Sequence, residues 1–113
     1  MDWTYKSKKK PLLEYENIVI LQDGRTASSS ENMIAALNEN LDNVILVGDK
    51  TYGKGIGQYT LPLTKGFAVK ATILTWHTPN GDNIHNRGIE PEIPYYGDDP
   101  EGFVLDMLEK GTQ

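Results

Sequence analysis

The chain has no cysteine and only two histidines, His77 and His85, among its 113 residues. Without cysteine, disulfides, thiolate metal sites and cysteine nucleophiles are excluded. The histidines lie in no zinc-binding spacing such as His-Glu-x-x-His, so we expect no metal and no cofactor. A triad of serine, histidine and acid has no supporting motif either, and we expect surface or structural roles for both histidines.

Positive charge is also scarce, because 11 Lys and Arg stand against 16 Asp and Glu, for a formal net charge of -5. Nucleic-acid binding needs basic residues that displace phosphate counterions, so we expect no nucleic-acid partner. The basic run at residues 6–10 is typical of a solvated terminal segment, with a nucleic-acid or membrane contact as the alternative. No segment approaches the roughly 20 apolar residues of a membrane span.

What the sequence does contain is the pattern of an α/β unit. Apolar runs at residues 17–22 and 44–47 predict two buried strands, the first of them buried on both faces. Between them, apolar residues recur at helical spacing and predict a helix over residues 28–41. Strand, helix and strand in this order favour a right-handed crossover and an α/β architecture.

The second half of the chain predicts a loop, a hairpin and an edge segment. Residues 48–57 hold four glycines and indicate a loop with an unusual backbone path. Residues 58–63 and 67–76 are predicted strands joined by a hairpin turn. The prolines at residues 88–94 indicate an extended edge, and a short final helix is predicted over residues 103–108.

The serine-rich segment at the start of the predicted helix offers a first candidate for chemistry. A hydroxyl there lies beside amide N–H groups and the positive end of the helix dipole, where a developing oxyanion is stabilised. The alternative is structural, because Ser28 with Glu31 three residues later also matches a capping box. The segment taken alone favours the cap.

The glycine-rich segment around Lys54 offers a second candidate. Its glycine and lysine spacing is that of a phosphate-binding loop, but Gly55 stands where a serine or threonine should bind magnesium. The segment also continues toward a strand rather than the helix whose N-terminus would hold phosphate. Nucleotide binding is therefore not expected, and Lys54 taken alone is typical of a solvated loop lysine.

Taken together, these segments and two later ones resemble the carboxyl-terminal processing peptidases, also called tail-specific proteases. The four motifs are residues 26–31 (TASSSE), 48–58 (GDKTYGKGIGQ), 78–81 (TPNG) and 88–93 (GIEPEI). The resemblance implies the crotonase/ClpP-like α/β fold of a catalytic segment that is an incomplete domain. We treat residues 1–113 as that single segment, with an ordered core over residues 17–110.

The same resemblance implies a serine endopeptidase that cleaves protein substrates near their C-terminus. It assigns the nucleophile to Ser28, with Ser29 and Ser30 as weaker candidates. The general base is assigned to Lys54, and the positioning of that lysine to Gln58. The amide of Ser29 would be one oxyanion donor. A lysine can take the serine proton only while its own amine is neutral, which is the logic of a Ser-Lys dyad.

Parts of the implied enzyme have no counterpart in residues 1–22. These parts are the glycine-rich stretch that supplies the second oxyanion donor and a PDZ domain. We therefore expect an excised piece whose partner is the remainder of a longer protease chain, with a small self-standing protein on the same half-fold as the alternative. Because loss of one oxyanion donor costs about 10²- to 10³-fold, we expect the excised piece by itself to have little or no activity. The resemblance also implies an extracytoplasmic location, in a periplasm, cell envelope or organelle lumen.

A non-catalytic peptide- or ligand-binding module on the same fold is the alternative function. In that case Tyr59, Trp76, Tyr95 and Tyr96 would line a groove, although core packing is the commoner use of aromatic side chains. A probe for reactive serines discriminates between the two functions, because a binding module is not labelled.

Overall fold

The computed structural model describes residues 4–111, so residues 1–3 and 112–113 of the predicted segment lie outside it. The described chain contains five strands and two helices. They are β1 (Ile18–Gln22), α1 (Ser29–Asn40), β2 (Val44–Gly48), β3 (Ile56–Pro62), β4 (Ala68–Thr75), β5 (Ile93–Pro94) and α2 (Pro100–Gly111). A single turn of 3₁₀ helix, Thr64–Gly66, joins β3 to β4.

The first unit is the predicted strand, helix and strand. β1 pairs parallel with β2 from Ile18 opposite Val44 to the strand ends, and β5 pairs parallel with the other edge of β2. Helix α1 buries Ile34 against Val44 and Leu46 of β2, which form the hydrophobic core cluster. The α/β class is therefore confirmed, and the proline-containing segment does form an edge.

The prediction that β1 is buried on both faces is wrong, whereas β2 is buried as predicted. Leu21 of β1 is 40% exposed, whereas Val47 of β2 is fully buried. The reason is that α2 leaves an open recess beside β1, between Leu21 and the helix residues Val104 and Leu105. Sequence hydrophobicity does not report such a gap.

Helix α2 is longer than the predicted final helix over residues 103–108. It begins at Pro100, since proline is tolerated in the first turn, where its missing N–H has no intrahelical acceptor. The side chain of Asp99 accepts the N–H of Gly102 at 2.9 Å and so caps the helix start. No helix in residues 4–111 is long and apolar enough to cross a bilayer.

Strands β3 and β4 form a separate antiparallel ribbon, with a bulge at Gly57/Gln58. Because side chains alternate along a strand, one face of the ribbon is apolar. Its large side chains are 46% to 69% exposed, and together they form the apolar ribbon face: Tyr59, Leu61, Leu63, Phe67 and Val69. Within residues 4–111, the extensive contacts of the ribbon are confined to its own two strands.

The aromatic residues show the consequence of this arrangement. The expectation of core packing is wrong for Tyr59, on the apolar ribbon face, and for Tyr96, which is 76% exposed. Tyr95 stacks on Phe103 with 4.5 Å between ring centroids. The Cα radius of gyration is 17.7 Å, compared with about 13 Å for a compact chain of this length. The described chain is therefore extended.

Candidate active site

The serine-rich and lysine-containing segments meet at a buried carboxylate, Glu31, whose exposed fraction is 0%. One oxygen, Oε1, accepts the Thr51 hydroxyl at 2.6 Å and the Gly53 amide at 2.6 Å. The other oxygen, Oε2, accepts the amide of Ser28 at 2.7 Å and the amide of Lys54 at 2.9 Å. A carboxylate is tolerated in the interior only with such partners, so Glu31 ties the two segments together.

The same contacts fix the protonation state of the carboxylate. Burial by itself would raise the pKa of Glu31, since it penalises the charged form. The hydrogen bonds from Thr51, Lys54, Gly53 and Ser28 favour the charged form and together outweigh burial, so the pKa lies below its ordinary value. Glu31 is therefore an anion that accepts donors from both segments at neutral pH.

Ser28 lies in the tight turn between β1 and α1, here called the serine turn (residues 23–28). Its backbone angles are φ 57° and ψ -116°, whereas an ordinary N-cap residue has φ and ψ in the β region. A positive φ at a residue with a side chain is strained, and strain of this kind concentrates at functional sites. The Glu31 half of the capping box is present, but the serine backbone is not that of a simple cap.

The lysine loop (residues 49–55) connects β2 to β3 and is bonded to its surroundings through the backbone. The amide of Tyr52 donates to the carbonyl of Thr26 in the serine turn at 2.9 Å. Thr51 and Ile89 are joined twice, by the Thr51 amide to the Ile89 carbonyl at 3.1 Å and by the Ile89 amide to Thr51 Oγ1 at 2.7 Å. The path of the loop is thus fixed on both sides.

Glycine is required where the lysine loop meets residues 83–88, called the backing segment. Gly53 has φ 90°, and a Cβ there would come within 2.7 Å of the Gly88 nitrogen. Gly88 has φ 73°, and a Cβ there would collide with the Thr51 carbonyl. A side chain at either position would push the two segments apart, so the glycines allow the close approach.

The predicted catalytic pair, Ser28 and Lys54, is brought together through the backbone. Both residues are half-buried, and their amides share Glu31 Oε2. Among the hydrogen bonds of residues 4–111, none joins the Ser28 hydroxyl to the Lys54 amine. The pairing of these two side chains therefore stays a prediction.

We call Glu31, the serine turn and the lysine loop the site frame. The two other predicted residues, Gln58 and Ser29, lie at its margin. Gln58 is exposed on β3, and its Nε2 donates to Thr72 Oγ1 at 3.4 Å, so its role in positioning Lys54 stays a prediction. Ser29 is the exposed first residue of α1, where N–H groups have no intrahelical acceptor. Its amide is thus suited to the predicted role of an oxyanion donor.

Thr51 and the full role of Glu31 had no signal in the sequence pattern. Glu31 matched a helix cap, but its contacts with residues 20 or more positions away depend on tertiary structure. Thr51 is a buried threonine beside a glycine-rich loop, and no motif distinguishes it from a surface threonine.

The histidines and a cavity were also candidates for chemistry. His77 is exposed, whereas His85 accepts the Gly55 amide at Nδ1 at 3.3 Å, a contact of the structural kind expected. Within the described residues, no group of three or more His, Asp or Glu is arranged to hold a metal ion. A cavity of about 510 Å³ lies at the carboxyl ends of β1 and β2, but its lining includes neither Ser28 nor Lys54.

Comparisons of the sequence with known proteins point in one direction. The sequence profile of peptidase family S41 matches residues 2–95. The chain is 40% identical over 88 residues to the carboxy-terminal processing protease CtpA of Bacillus subtilis (strain 168), covering 78% of this chain and 18% of that protein. It is 42% identical over 90 residues to the chloroplastic carboxyl-terminal-processing peptidase 1 of Arabidopsis thaliana, covering 80% and 18%. The chain thus spans under a fifth of these relatives.

Solved structures give the same result for the fold. The photosystem II D1 C-terminal processing protease superposes with a TM-score of 0.62 and 32% identity, over 70% of this chain and 20% of that one. Mature CPAF superposes with a TM-score of 0.66 and 22% identity, over 89% and 21%. The second likeness concerns the fold alone.

Proposed function

Because this chain belongs to peptidase family S41, we propose that it is the catalytic segment of a serine endopeptidase that cleaves protein substrates near their C-terminus. The observation that carries the proposal is the shared oxygen of Glu31, which accepts the amides of Ser28 and Lys54. Two residues 26 positions apart are tied to one atom, as a nucleophile and its base must be held. The strained backbone of Ser28 supports the same assignment.

In the proposed mechanism, neutral Lys54 takes the hydroxyl proton of Ser28 while Oγ attacks the scissile carbonyl. The carbon–nitrogen bond then breaks, and the leaving amine receives that proton from Lys54. Water next loses a proton to Lys54 and attacks the acyl ester. As the bond between the acyl carbon and Oγ breaks, Lys54 returns that proton to Oγ, which releases the new C-terminus and restores Ser28 and neutral Lys54. Gln58 would orient the lysine amine after its side chain turns away from Thr72.

The oxyanion of each tetrahedral intermediate would be stabilised by the exposed amide of Ser29, near the positive end of the α1 dipole. A second donor would come from the remainder of a longer protease chain. The apolar ribbon face is the surface on which we propose that this remainder packs, because an isolated two-stranded ribbon is marginally stable in water. The chain's short span of its relatives supports this partner.

An extracytoplasmic or organellar location is part of the proposal. A relative from Arabidopsis thaliana is named as chloroplastic, and one from Tetradesmus obliquus is named likewise. A non-catalytic binding module is the second candidate function. The exposure of Tyr59 and Tyr96, and the missing hydrogen bond between the two candidate catalytic side chains, favour it.

Cleavage of an unstructured peptide, followed by mass spectrometry, tests the protease proposal. We expect Ser28→Ala and Lys54→Ala each to lower the cleavage rate by at least about 10³-fold, because members of a catalytic unit are each required. The experiment uses this chain and a version extended with the preceding part of a family member. Ser30→Ala is the matched control and should cut normally. Cleavage that survives Ser28→Ala, or no cleavage by the folded extended protein, would contradict the proposal.

A further inference from the structure

Lys54 lies between two peptide planes that are held by different parts of the chain. On its amino side, the Lys54 amide donates to Glu31 and the Gly53 carbonyl accepts an amide of the backing segment. On its carboxyl side, the Gly55 amide donates to Nδ1 of His85 at 3.3 Å. Because peptide units are planar, holding both planes fixes φ and ψ of Lys54 and the direction in which its side chain leaves the backbone.

The contact between Gly55 and the backing segment is a close one. Gly55 is buried, and a Cβ on it would come within 2.8 Å of Asn83 Oδ1 and 2.9 Å of the His85 nitrogen. Its carbonyl accepts the amide of Trp76 at 3.0 Å. The His85 ring therefore accepts a hydrogen bond from a peptide that is closely packed on its other sides. Loss of that bond should change the conformation of the lysine loop.

We propose that His85 is a positioning residue for Lys54 that acts through its unprotonated Nδ1. An imidazole nitrogen accepts a hydrogen bond only while it carries no proton, and the imidazolium donates from both nitrogens. Protonation would therefore set an N–H of His85 against the N–H of Gly55 and release this peptide plane. The lysine loop therefore loosens when the His85 ring gains a proton.

Other ionisable side chains lie on the segments around this ring. Asp82 and Arg87 are on or beside its own segment, Lys54 is on the lysine loop and His77 follows β4. Two substitutions separate His85 from them. His85→Asn keeps an acceptor at the position of Nδ1 but does not titrate, whereas His85→Leu keeps the bulk and removes the acceptor.

Hydrogen exchange at the Gly55 amide tests the contact without requiring catalysis. In the unaltered chain we expect protection at pH 8 and about fivefold less at pH 5, the size of one modest hydrogen bond. His85→Asn should keep the protection at both pH values, and His85→Leu should lose it at both. Equal protection in all three proteins, or an equal loss at pH 5 in His85→Asn, would overturn the proposal.

The activity measurement rests on the proposed protease function. In a cleaving protein, His85→Leu should lower kcat by about ten- to a hundredfold with KM little changed, because a misaligned base slows chemistry more than binding. His85→Asn should restore kcat and keep it at pH 5. Normal kcat in His85→Leu would overturn the positioning role. The expected exchange pattern without any cleavage would support the contact and contradict the protease proposal instead.

Discussion

The site frame and the β3–β4 ribbon differ in how far the described residues supply their partners: hydrogen-bond donors in the first, and cover for apolar side chains in the second. In the frame, the buried carboxylate of Glu31 has four donors, and the lysine loop is bonded to the serine turn and to the backing segment. In the β3–β4 ribbon, every large apolar side chain on one face is about half exposed or more. The hydrogen bonds that join the two segments at Glu31 are therefore complete within residues 4–111, whereas the apolar ribbon face has no cover among those residues.

This difference suggests which properties belong to the segment itself. The geometry that holds Ser28 near Lys54 should persist in the isolated chain, because its bonds are internal. Stability of the ribbon, and any activity that depends on Gln58 within it, should depend on what covers the apolar ribbon face.

Replacement of the central carboxylate should break the frame. In Glu31→Gln, at least two buried donors lose their acceptor, and each costs about 1–3 kcal/mol. We expect the free energy of unfolding to fall by about 3 kcal/mol or more in urea denaturation, enough to unfold a marginal chain. Glu92→Gln, at an exposed position, is the control and should change little. An unfolding free energy unchanged in Glu31→Gln would contradict the frame.

A threonine hydroxyl should contribute to stability in the site frame, at Thr51, but not in the ribbon, at Thr72. The Thr51 hydroxyl donates to Glu31 and accepts the Ile89 amide, so Thr51→Val removes two bonds at constant shape. We expect a loss of about 1–3 kcal/mol in urea denaturation. The matched substitution Thr72→Val, at an exposed position opposite Gln58 in the ribbon, should change the free energy of unfolding by less than about 0.5 kcal/mol. Equal effects at the two threonines would remove the distinction between the regions.

Acid should weaken the frame through Glu31. Its pKa is lower in the folded chain than in the unfolded chain, so the unfolded state binds the proton first as pH falls. The stabilisation is complete above the ordinary glutamate pKa of about 4.3 and is lost as pH falls through the folded value. Urea denaturation from pH 7 to 3 should show this loss in the unaltered chain. Glu31→Gln, where it folds, should lack that part of the slope.

The smallest effect is expected on the ribbon. Val69→Thr replaces an exposed apolar side chain with a residue of nearly the same shape and high strand propensity, so the free energy of unfolding should change by less than about 0.5 kcal/mol. Binding of a hydrophobic dye to the isolated chain should decrease, because the apolar patch is reduced. In the extended protein the same change should destabilise by about 1–3 kcal/mol. No difference between the two contexts would mean that the remainder does not cover this face.

The sequence predicted the elements more fully than their connections. The strand, helix and strand unit, the hairpin and the edge segment follow from local periodicity and turn residues, and all are present. The early start of α2 was also encoded, by the Asp99–Pro100 pair. The burial of Glu31 and the contacts of Thr51 and His85 were not predictable, because they join residues far apart in the chain. The exposure of Leu21 and Tyr59 depends on what covers them, which hydrophobicity does not report.

Hydrogen exchange at the amides of Ser28 and Lys54 tests the central claim most directly. Both amides donate to Glu31 Oε2, so both should be protected in the isolated chain and should open together with one opening free energy. In Thr51→Val, both opening free energies should fall by the same amount. If either amide exchanges at the rate of an unfolded chain, or if the substitution affects only one of them, Glu31 does not join the two segments into one frame.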